Sequence, residues 1–299
     1  MITRSNIPAL LRPGQYSVFE DYNVYPQWWH DVYSRHRSDK AVEYETQIQS
    51  LGLAQLKPDG APIAMGTMQQ AYQTSYVMQY YGIGFQITRA TIMDNLYQKE
   101  FPVATLAMRN SLETLKNYNA AYLFNQAFNN QVVLADGQNL CSTAHPTQAG
   151  SMANTFGGMV DLSEAAVEDA ITIIKGWTNV AGLPINMMPQ RVVVPTALGF
   201  TAARIFKSEY RTNTPNNDIN AIVHDKYMPM GYMTSQFITN PQAWFILTDE
   251  PNGFKYFLRE ALEIDYITDP VTQTLTNVAL ERYAFGNSNW RSVFGARGA

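Results

Sequence analysis

Cys141 and His145 are the side chains of this sequence whose types and spacing best fit nucleophilic chemistry. A thiol nucleophile needs a base within reach, and the two residues are four positions apart in LCSTAHP. No glycine loop that could form an oxyanion hole follows the cysteine, however, and Ser142-Thr143-Ala144 is typical of a strand end. The pattern favours a half-buried cysteine beside a turn histidine, with a Cys–His hydrolase as the alternative from another functional class.

The other residues with catalytic or ligating side chains do not combine into a site. The carboxylate pairs are predicted on a helix face and at a turn, where solvated charge is the default, and the histidines lack the partners of a metal site. A glycine pair in YGIGF lacks the third glycine and the helix start of a dinucleotide loop. The sequence therefore predicts no enzyme activity, cofactor or metal. The carboxylate pairs, the histidines and the glycine pair in question are Glu168-Asp169, Asp249-Glu250, His30, His36, His224-Asp225-Lys226, Gly82 and Gly84.

The composition indicates a chain that associates with other protein surfaces. It has 299 residues, enough for about two domains, and only 15% are charged, against about 25% in average proteins. Its 18 Tyr, 14 Phe and 5 Trp fit best at an oligomer interface. The net charge of −4 argues against a basic nucleic-acid-binding surface. With one cysteine, no signal peptide and no apolar run of about 18 residues, we expect a soluble, cytosolic-type chain outside the membrane.

A long amphipathic helix is predicted over about residues 91–128. Met108, Leu112, Leu115 and Tyr122 recur at helical spacing and predict its buried stripe, while Arg109, Glu113 and Lys116 lie between them as polar residues. Because proline lacks an N–H group, Pro102 is predicted to separate a short leading helix, about 91–98, from the main helix. The segment would span roughly 40 Å and lie across a sheet.

Two segments before this helix look suited to reach other subunits. An N-terminal arm, residues 1–40, is rich in aromatic residues and must dock either on its own domain or on a neighbour. Residues 41–90 read as two long strands joined by a polar excursion with a turn at Pro58-Asp59-Gly60, either an arm over a neighbour or a surface hairpin. The interface candidates are Tyr16, Phe19, Tyr22, Tyr25, Trp28, Trp29, Lys57, Pro58, Asp59 and Gly60.

After the helix, the pattern predicts an α/β domain inserted into an α+β domain. Residues 131–145 contain a hairpin turn at Asp136-Gly137. Residues 159–237 open with a capping box, Asp161 to Glu164, continue with a helix buried through Ala166, Ala170, Ile173 and Trp177, and contain a strand over 191–195 before a helix capped by Thr196. Strands over 243–248, 254–260, 262–267 and 274–286 are predicted to pair with the 131–145 hairpin and to cover the long helix.

Taken in order, these segments resemble the major capsid proteins of tailed bacteriophages, in the branch related to the Mu-like major head subunit. The resemblance covers nearly the whole chain, and its strength lies in the order of many pieces. The pieces are LLRPG with EDYNVYPQWWHDVY, YGIGFQITR, LCSTAHP, DLSEAAVEDA, GLPINMMPQRVVVPTALGFTAARIF, NDINAI, NPQAWFILTDEPNGFKYFLRE and ERYAFGNSNWRSVFGARG.

The resemblance implies an α+β fold of the Hong Kong 97 type. Residues 1–40 would form the N-terminal arm and 41–90 an extended loop lying on a neighbouring subunit. Residues 91–158 and 238–299 would form the peripheral domain with its spine helix, and 159–237 the inserted axial domain. Some members crosslink a lysine of the extended loop to an asparagine, but the position of Lys57 alone does not predict that bond.

As function, the resemblance implies a structural head protein that assembles into pentamers and hexamers of an icosahedral shell around phage DNA. The shell would form in the bacterial cytoplasm and become the virion capsid. We expect a separate scaffolding protein and a portal as partners, weak contact with the packaged double-stranded DNA, and no membrane, and the resemblance leaves open whether a decoration protein binds. The alternative within the same fold is an encapsulin-like compartment subunit.

Overall fold

The computed structural model of the protein describes residues 18–19, 22, 27–48, 53–60, 62–63, 65, 70–94, 97–147, 150–210, 218–269 and 271–299. Two of the predicted interface residues, Tyr16 and Tyr25, lie outside these ranges. The chain divides into two units. Unit 1 consists of Met1–Glu43, Tyr76–Ala120 and Tyr256–Phe285, and unit 2 of Tyr44–Ser75, Ala121–Lys255 and Gly286–Ala299.

The described residues form helices and short strands in a mixed order. The α-helices are α1 (Arg89–Met93), α2 (Tyr97–Asn125), α3 (Glu164–Lys175), α4 (Gly199–Lys207) and α5 (Ala221–His224). The strands are β1 (Ser34–Arg37), β2 (Val42–Ile48), β3 (Gln70–Val77), β4 (Gln79–Ile87), β5 (His145–Thr147), β6 (Gly150–Met152), β7 (Pro189–Pro195), β8 (Tyr232–Ser235), β9 (Trp244–Thr248), β10 (Phe254–Thr268), β11 (Leu275–Asn287) and β12 (Val293–Ala296). Short 3₁₀ helices cover Trp28–Asp31, Thr196–Leu198 and Trp290–Ser292.

The long helix is present as α2, preceded by the short helix α1, but the predicted position of the break is wrong. α1 ends at Met93 and α2 begins at Tyr97, so Pro102 lies inside α2 as its sixth residue. This position removes only the hydrogen bond that a residue 102 N–H would make to the carbonyl of residue 98. Residue 102 lies two residues beyond the first four of the helix, whose N–H groups have no helical partner. The helix therefore continues through the proline.

The buried face of α2 also differs from the predicted stripe. Met108 and Leu112 are buried as expected, but Leu115 is 37% and Tyr122 47% exposed. Arg109 and Lys116, predicted as intervening polar residues, are buried instead. The stripe was misjudged because the helix packs its charged residues against acceptors that lie far away in the sequence.

Unit 1 is built on a four-stranded sheet of order β1-β10-β11-β4. β4 and β11 are antiparallel, with Gly84 opposite Val278. A Cβ atom at Gly84 would lie 2.8 Å from the Asn277 carbonyl oxygen, so this glycine permits the close approach of β11. The glycine pair that lacked a dinucleotide-loop pattern is therefore part of a strand. β10 runs unbroken from Phe254 to Thr268, where two separate strands were predicted.

Unit 2 contains a second four-stranded sheet, of order β12-β9-β7-β8. β7 is parallel to β8 and antiparallel to β9, which also pairs with β12. The prediction that the C-terminal strands pair with the 131–145 hairpin is wrong, because in that segment Val133 and Asn139 form only an isolated bridge around a turn at Gly137. Strands β7 and β9 pair with each other instead, and their continuous apolar sequences are typical of strands in a sheet that is covered on both faces.

Helix α3 covers the core of unit 2. Its N-cap is Ser163, whose side chain accepts a hydrogen bond from the Ala166 N–H, and not Asp161 as the predicted capping box required. The buried face is Ala166, Val167, Ala170, Ile171 and Ile174, so Ile173 was misplaced by one position. Thr196 starts a 3₁₀ turn and does not cap α4. Between α5 and β9, residues Tyr232–Ser235 form the short strand β8.

Candidate functional site

Cys141 and His145 do not have the surroundings of a nucleophile and its base. The cysteine is buried, against the half-buried position that was predicted, and burial raises the pKa of its thiol far above its ordinary value. His145 is completely buried, with Nδ1 2.6 Å from Asp136 Oδ2 and Nε2 3.0 Å from Asn154 Oδ1. Its ring also stacks on Trp290 at 4.5 Å. Both ring nitrogens thus face oxygen acceptors, and the geometry is that of a structural histidine.

Asn154 is the centre of this buried polar cluster, which was not predicted from the sequence. Its Nδ2 donates to the carbonyl oxygens of Leu140, Trp290 and Val293 at 2.7, 3.2 and 3.0 Å. Its Oδ1 accepts from the Ser142 N–H at 2.8 Å. One amide therefore ties together three separate stretches of unit 2. An asparagine in a polar loop looks like turn chemistry in sequence, and only its burial reveals this role.

Two classes of site have no candidate in the part of the chain that the structure describes. Within these ranges, no three His, Cys, Asp or Glu side chains come close enough to hold a metal ion. Among the same residues, no helix has both the length and the apolar character that crossing a membrane requires.

The described aromatic residues of the N-terminal arm pack into unit 1. Trp29 is 2% exposed, and its ring contacts Tyr256 at 4.8 Å and Phe285 at 5.3 Å. Phe19 and Tyr22 are buried in a cluster with Met108 and Leu112 of α2. Trp28 is half-buried. Of the two docking possibilities, these residues use their own unit, and their role at an interface remains a prediction.

An ion pair inside unit 1 helps to hold the arm. Lys116 Nζ lies 2.7 Å from Glu281 Oε2, and the two side chains are 2% and 1% exposed. The Tyr22 hydroxyl donates to the other carboxylate oxygen of Glu281 at 2.9 Å. Burial lowers the pKa of the Lys116 ammonium, while the charge of Glu281 opposes that shift. Burial and the same carboxylate raise the pKa of Tyr22, so this phenol remains a hydrogen-bond donor at all ordinary pH values.

The segment between β2 and β3, here called the extended loop, presents apolar side chains to solvent. Leu53, Leu56, Ile63 and Met65 are 77, 93, 70 and 91% exposed. The predicted turn is confirmed at residues 59–60, where Gly60 has a φ of +76°. Lys57, Pro58, Asp59 and Gly60 are all exposed. The loop thus places an apolar surface where its own unit does not cover it.

The base of the extended loop is anchored within unit 2. Glu45 of β2 lies 2.5 Å from Lys255 Nζ and accepts a hydrogen bond from the Ser288 hydroxyl. Gln47 donates to the Ser288 carbonyl. The Lys255 side chain is 8% exposed, so this contact is shielded from solvent. A fixed base with an uncovered apolar tip is the arrangement expected of an arm that binds another molecule.

The outer face of α2 is a second uncovered surface, which the sequence-based stripe missed. Between Phe101 and Ala120, the three charged residues Arg109, Glu113 and Lys116 are buried or half-buried. The solvated face of a helix normally carries the charges, whereas the exposed residues here are uncharged: Pro102, Val103, Leu106, Ala107, Asn110, Ser111, Thr114, Leu115 and Tyr118. The sequence contained an indication of this uncharged face, because the three charged residues recur at three- and four-residue steps and therefore share the opposite face of the helix.

A profile of a known family matches most of this architecture. Residues 71–296 match the family described as phage capsid protein, which is more than half of the chain. The chain belongs to this phage capsid protein family. It is accordingly a structural capsid protein, and the sequence-based recognition is confirmed. Among curated proteins, none matches the chain by sequence.

Solved structures agree on the fold at low sequence identity. The virus-like particle from Pyrococcus furiosus has a TM-score of 0.58 at 10% identity, over 95% of this chain and 98% of that chain. The capsid of cyanophage P-SCSP1u has a TM-score of 0.58 at 9% identity, over 92% and 88%. The procapsid of bacteriophage JBD30 has a TM-score of 0.54 at 12% identity, over 100% and 77%. The α+β fold is therefore of the Hong Kong 97 type, as predicted.

Proposed function

We propose that this chain is the major capsid subunit of a tailed phage, assembling through pentamers and hexamers into an icosahedral shell around double-stranded DNA. Such a shell needs contacts between different faces of neighbouring subunits, which close by rotation. The proposal further assigns residues 1–40 to the arm, 41–90 to the extended loop, 91–158 with 238–299 to the peripheral domain and 159–237 to the axial domain. Assembly would take place in the bacterial cytoplasm with a scaffolding protein and a portal.

The exposed apolar tip of the extended loop is the observation that carries this proposal. Fully burying one leucine-sized side chain contributes about 1.5–3 kcal/mol. The four side chains Leu53, Leu56, Ile63 and Met65 would thus contribute on the order of 6–12 kcal/mol before the entropic cost of association. Because each subunit makes several such contacts at once, individually modest contacts suffice for a closed shell.

Expression of the full chain and negative-stain electron microscopy test the proposal. We expect closed hollow shells, capsomers or tubes. A chain that stays monomeric at high concentration, or one that shows enzymatic turnover as a monomer, would contradict it. Deleting residues 50–70 should leave a folded subunit that cannot close shells. If that deletion unfolds the protein, the loop belongs to the core and the assignment fails.

A substitution in the loop separates its apolar contacts from its length. The change Leu53→Gln/Leu56→Gln/Ile63→Gln/Met65→Gln removes the apolar surface and should raise the concentration needed for assembly by at least tenfold, with unchanged circular dichroism. Gln55→Ala in the same loop, also exposed, is the matched control and should assemble as the natural chain does. Equal assembly of both variants would show that this surface is not an interface.

An encapsulin-like compartment is the second candidate, because the Pyrococcus furiosus particle matches the full chain in fold. The match of residues 71–296 to the phage capsid family favours the capsid. The contents of particles purified from the natural source distinguish the two: double-stranded DNA supports the capsid, and an enclosed enzyme supports the compartment.

A further inference from the structure

Unit 1 contains a cleft of about 330 Å³ with a basic wall, lined by Trp29, His30, Arg35, His36, Arg37, Tyr256 and Leu258. Arg35 and Arg37 lie two positions apart on β1 and therefore project on the same face of the strand, roughly 7 Å apart along it. No residue of the lining is acidic. The volume is at the lower end of small-ligand pockets.

The two guanidinium groups of this cleft are not neutralised by the protein. Within the ranges that the structure describes, neither guanidinium group makes an ion pair or a hydrogen bond, and β1 is exposed along its whole length at the edge of the sheet. Two like charges at adjacent same-face positions repel each other unless an anion joins them.

Two residues that line the cleft have buried side-chain nitrogen atoms without a hydrogen-bond partner among the described residues. Trp29 Nε1 and His30 Nε2 are inaccessible to solvent and have no hydrogen-bond partner among the described residues. Leaving such a group unpaired costs about 1–3 kcal/mol, so each one calls for an explanation. Burial and the charges of Arg35 and Lys116 lower the pKa of His30, against the opposing effect of Asp31. The positive charge at neutral pH is therefore that of the arginines.

We infer that this cleft is a binding site for a phosphate group. Guanidinium groups bind phosphate oxygens in paired hydrogen bonds. The cleft is larger than a carboxylate requires, which favours a phosphate with part of the molecule that carries it. That phosphate belongs either to a nucleic-acid backbone or to a free nucleotide or phosphate ion. A mildly acidic chain with one basic cleft would hold packaged DNA locally and weakly.

The binding of a fluorescent 20-base-pair DNA duplex to the full chain tests the inference. The variant Arg35→Gln/Arg37→Gln removes no internal hydrogen bond or ion pair. If both arginines contact phosphates, the slope of log K against log salt should shrink by about 1.8, and affinity at 0.1 M salt should fall about 60-fold. The matched control is Arg204→Gln/Lys207→Gln, which removes the same charge from exposed residues of α4 and should change neither value.

A calorimetric titration with inorganic phosphate and with AMP, at constant ionic strength, shows whether the bound phosphate belongs to a nucleic-acid backbone or to a free nucleotide or phosphate ion. Loss of duplex binding only in the cleft variant supports a nucleic-acid phosphate. Binding of phosphate or AMP by the natural chain but not by the cleft variant, with duplex binding equal in all chains, supports a free phosphate source. If the cleft variant binds every probe as the natural chain does, the inference is wrong. Electron microscopy of the same samples reports assembly separately, so failure of this site and failure of the proposed shell are distinguishable.

Discussion

The buried ion pair between Lys116 and Glu281 gives the sharpest test of how unit 1 holds its arm. At 2.7 Å and an effective dielectric constant of 20, the attraction between the two charges is about 6 kcal/mol. This attraction must offset the several kcal/mol that each charge loses on leaving water. Removing one partner therefore leaves an uncompensated buried charge, whereas removing both charges does not.

We expect Lys116→Met to lower the free energy of unfolding by about 3–5 kcal/mol, because Glu281 keeps only the Tyr22 hydroxyl as a partner. Glu281→Gln should cost less, about 2–3 kcal/mol, since the amide oxygen can still accept from Tyr22. The ammonium would also remain 4.7 Å from the centre of the Tyr22 ring. The double variant should lie within about 1 kcal/mol of the natural chain, a coupling of at least about 4 kcal/mol.

Urea denaturation of unassembled subunits, followed by tryptophan fluorescence and circular dichroism, measures these values. Lys40→Met is the matched control, because Lys40 pairs with Glu43 at 3.2 Å but is 72% exposed, and it should cost less than about 1 kcal/mol. Additive effects of Lys116→Met and Glu281→Gln would refute the view that this ion pair is desolvated and coupled. So would a loss below about 1 kcal/mol in the free energy of unfolding for Lys116→Met.

Three further predictions concern pH, close packing and the buried amide. Burial raises the pKa of four buried tyrosines above 10.0, so the folded state retains protons that the unfolded state releases; their contribution to stability should be constant below pH 10 and fall above it by up to about 1.4 kcal/mol per pH unit for each, measured by urea midpoints. In Gly295→Ala, the new Cβ would lie 2.5 Å from Cys141 Sγ, and we expect a loss of about 1–3 kcal/mol by thermal unfolding, whereas Gly157→Ala, with no atom within 4 Å, should be neutral. Asn154→Ala should cost about 2–5 kcal/mol in the same assay, because the two N–H bonds of its amide serve the buried carbonyls of Leu140, Val293 and Trp290, of which Trp290 alone keeps another donor among the described residues, the Val293 N–H; a cost below about 1 kcal/mol would show that water replaces the amide. The four tyrosines are Tyr22, Tyr33, Tyr256 and Tyr283.

Local patterns in the sequence correctly predicted several elements. Alternation over residues 42–48 produced β2, and the apolar run at 191–195 lies in β7. The Asp59-Gly60 turn also depends only on neighbouring residues, as does the start of α3, although its cap was predicted at Asp161 and lies at Ser163. These features are predictable because the backbone preferences and hydrogen bonds that produce them are confined to one turn or strand. The order of the motifs added the family and, with it, the Hong Kong 97-type fold.

The contacts between distant segments were decided by the tertiary structure. The buried side of α2 depends on Glu281, which is 165 residues from Lys116 and lies on β11. The pairing of β9 with β7 and β12, the three carbonyls around Asn154, and the meeting of Arg35 with Tyr256 in one cleft likewise join remote parts of the chain. A charged residue can be buried only where a distant partner offsets its desolvation. Periodicity within one helix therefore sets which residues share a face, while the partner on the other element decides whether that face is buried.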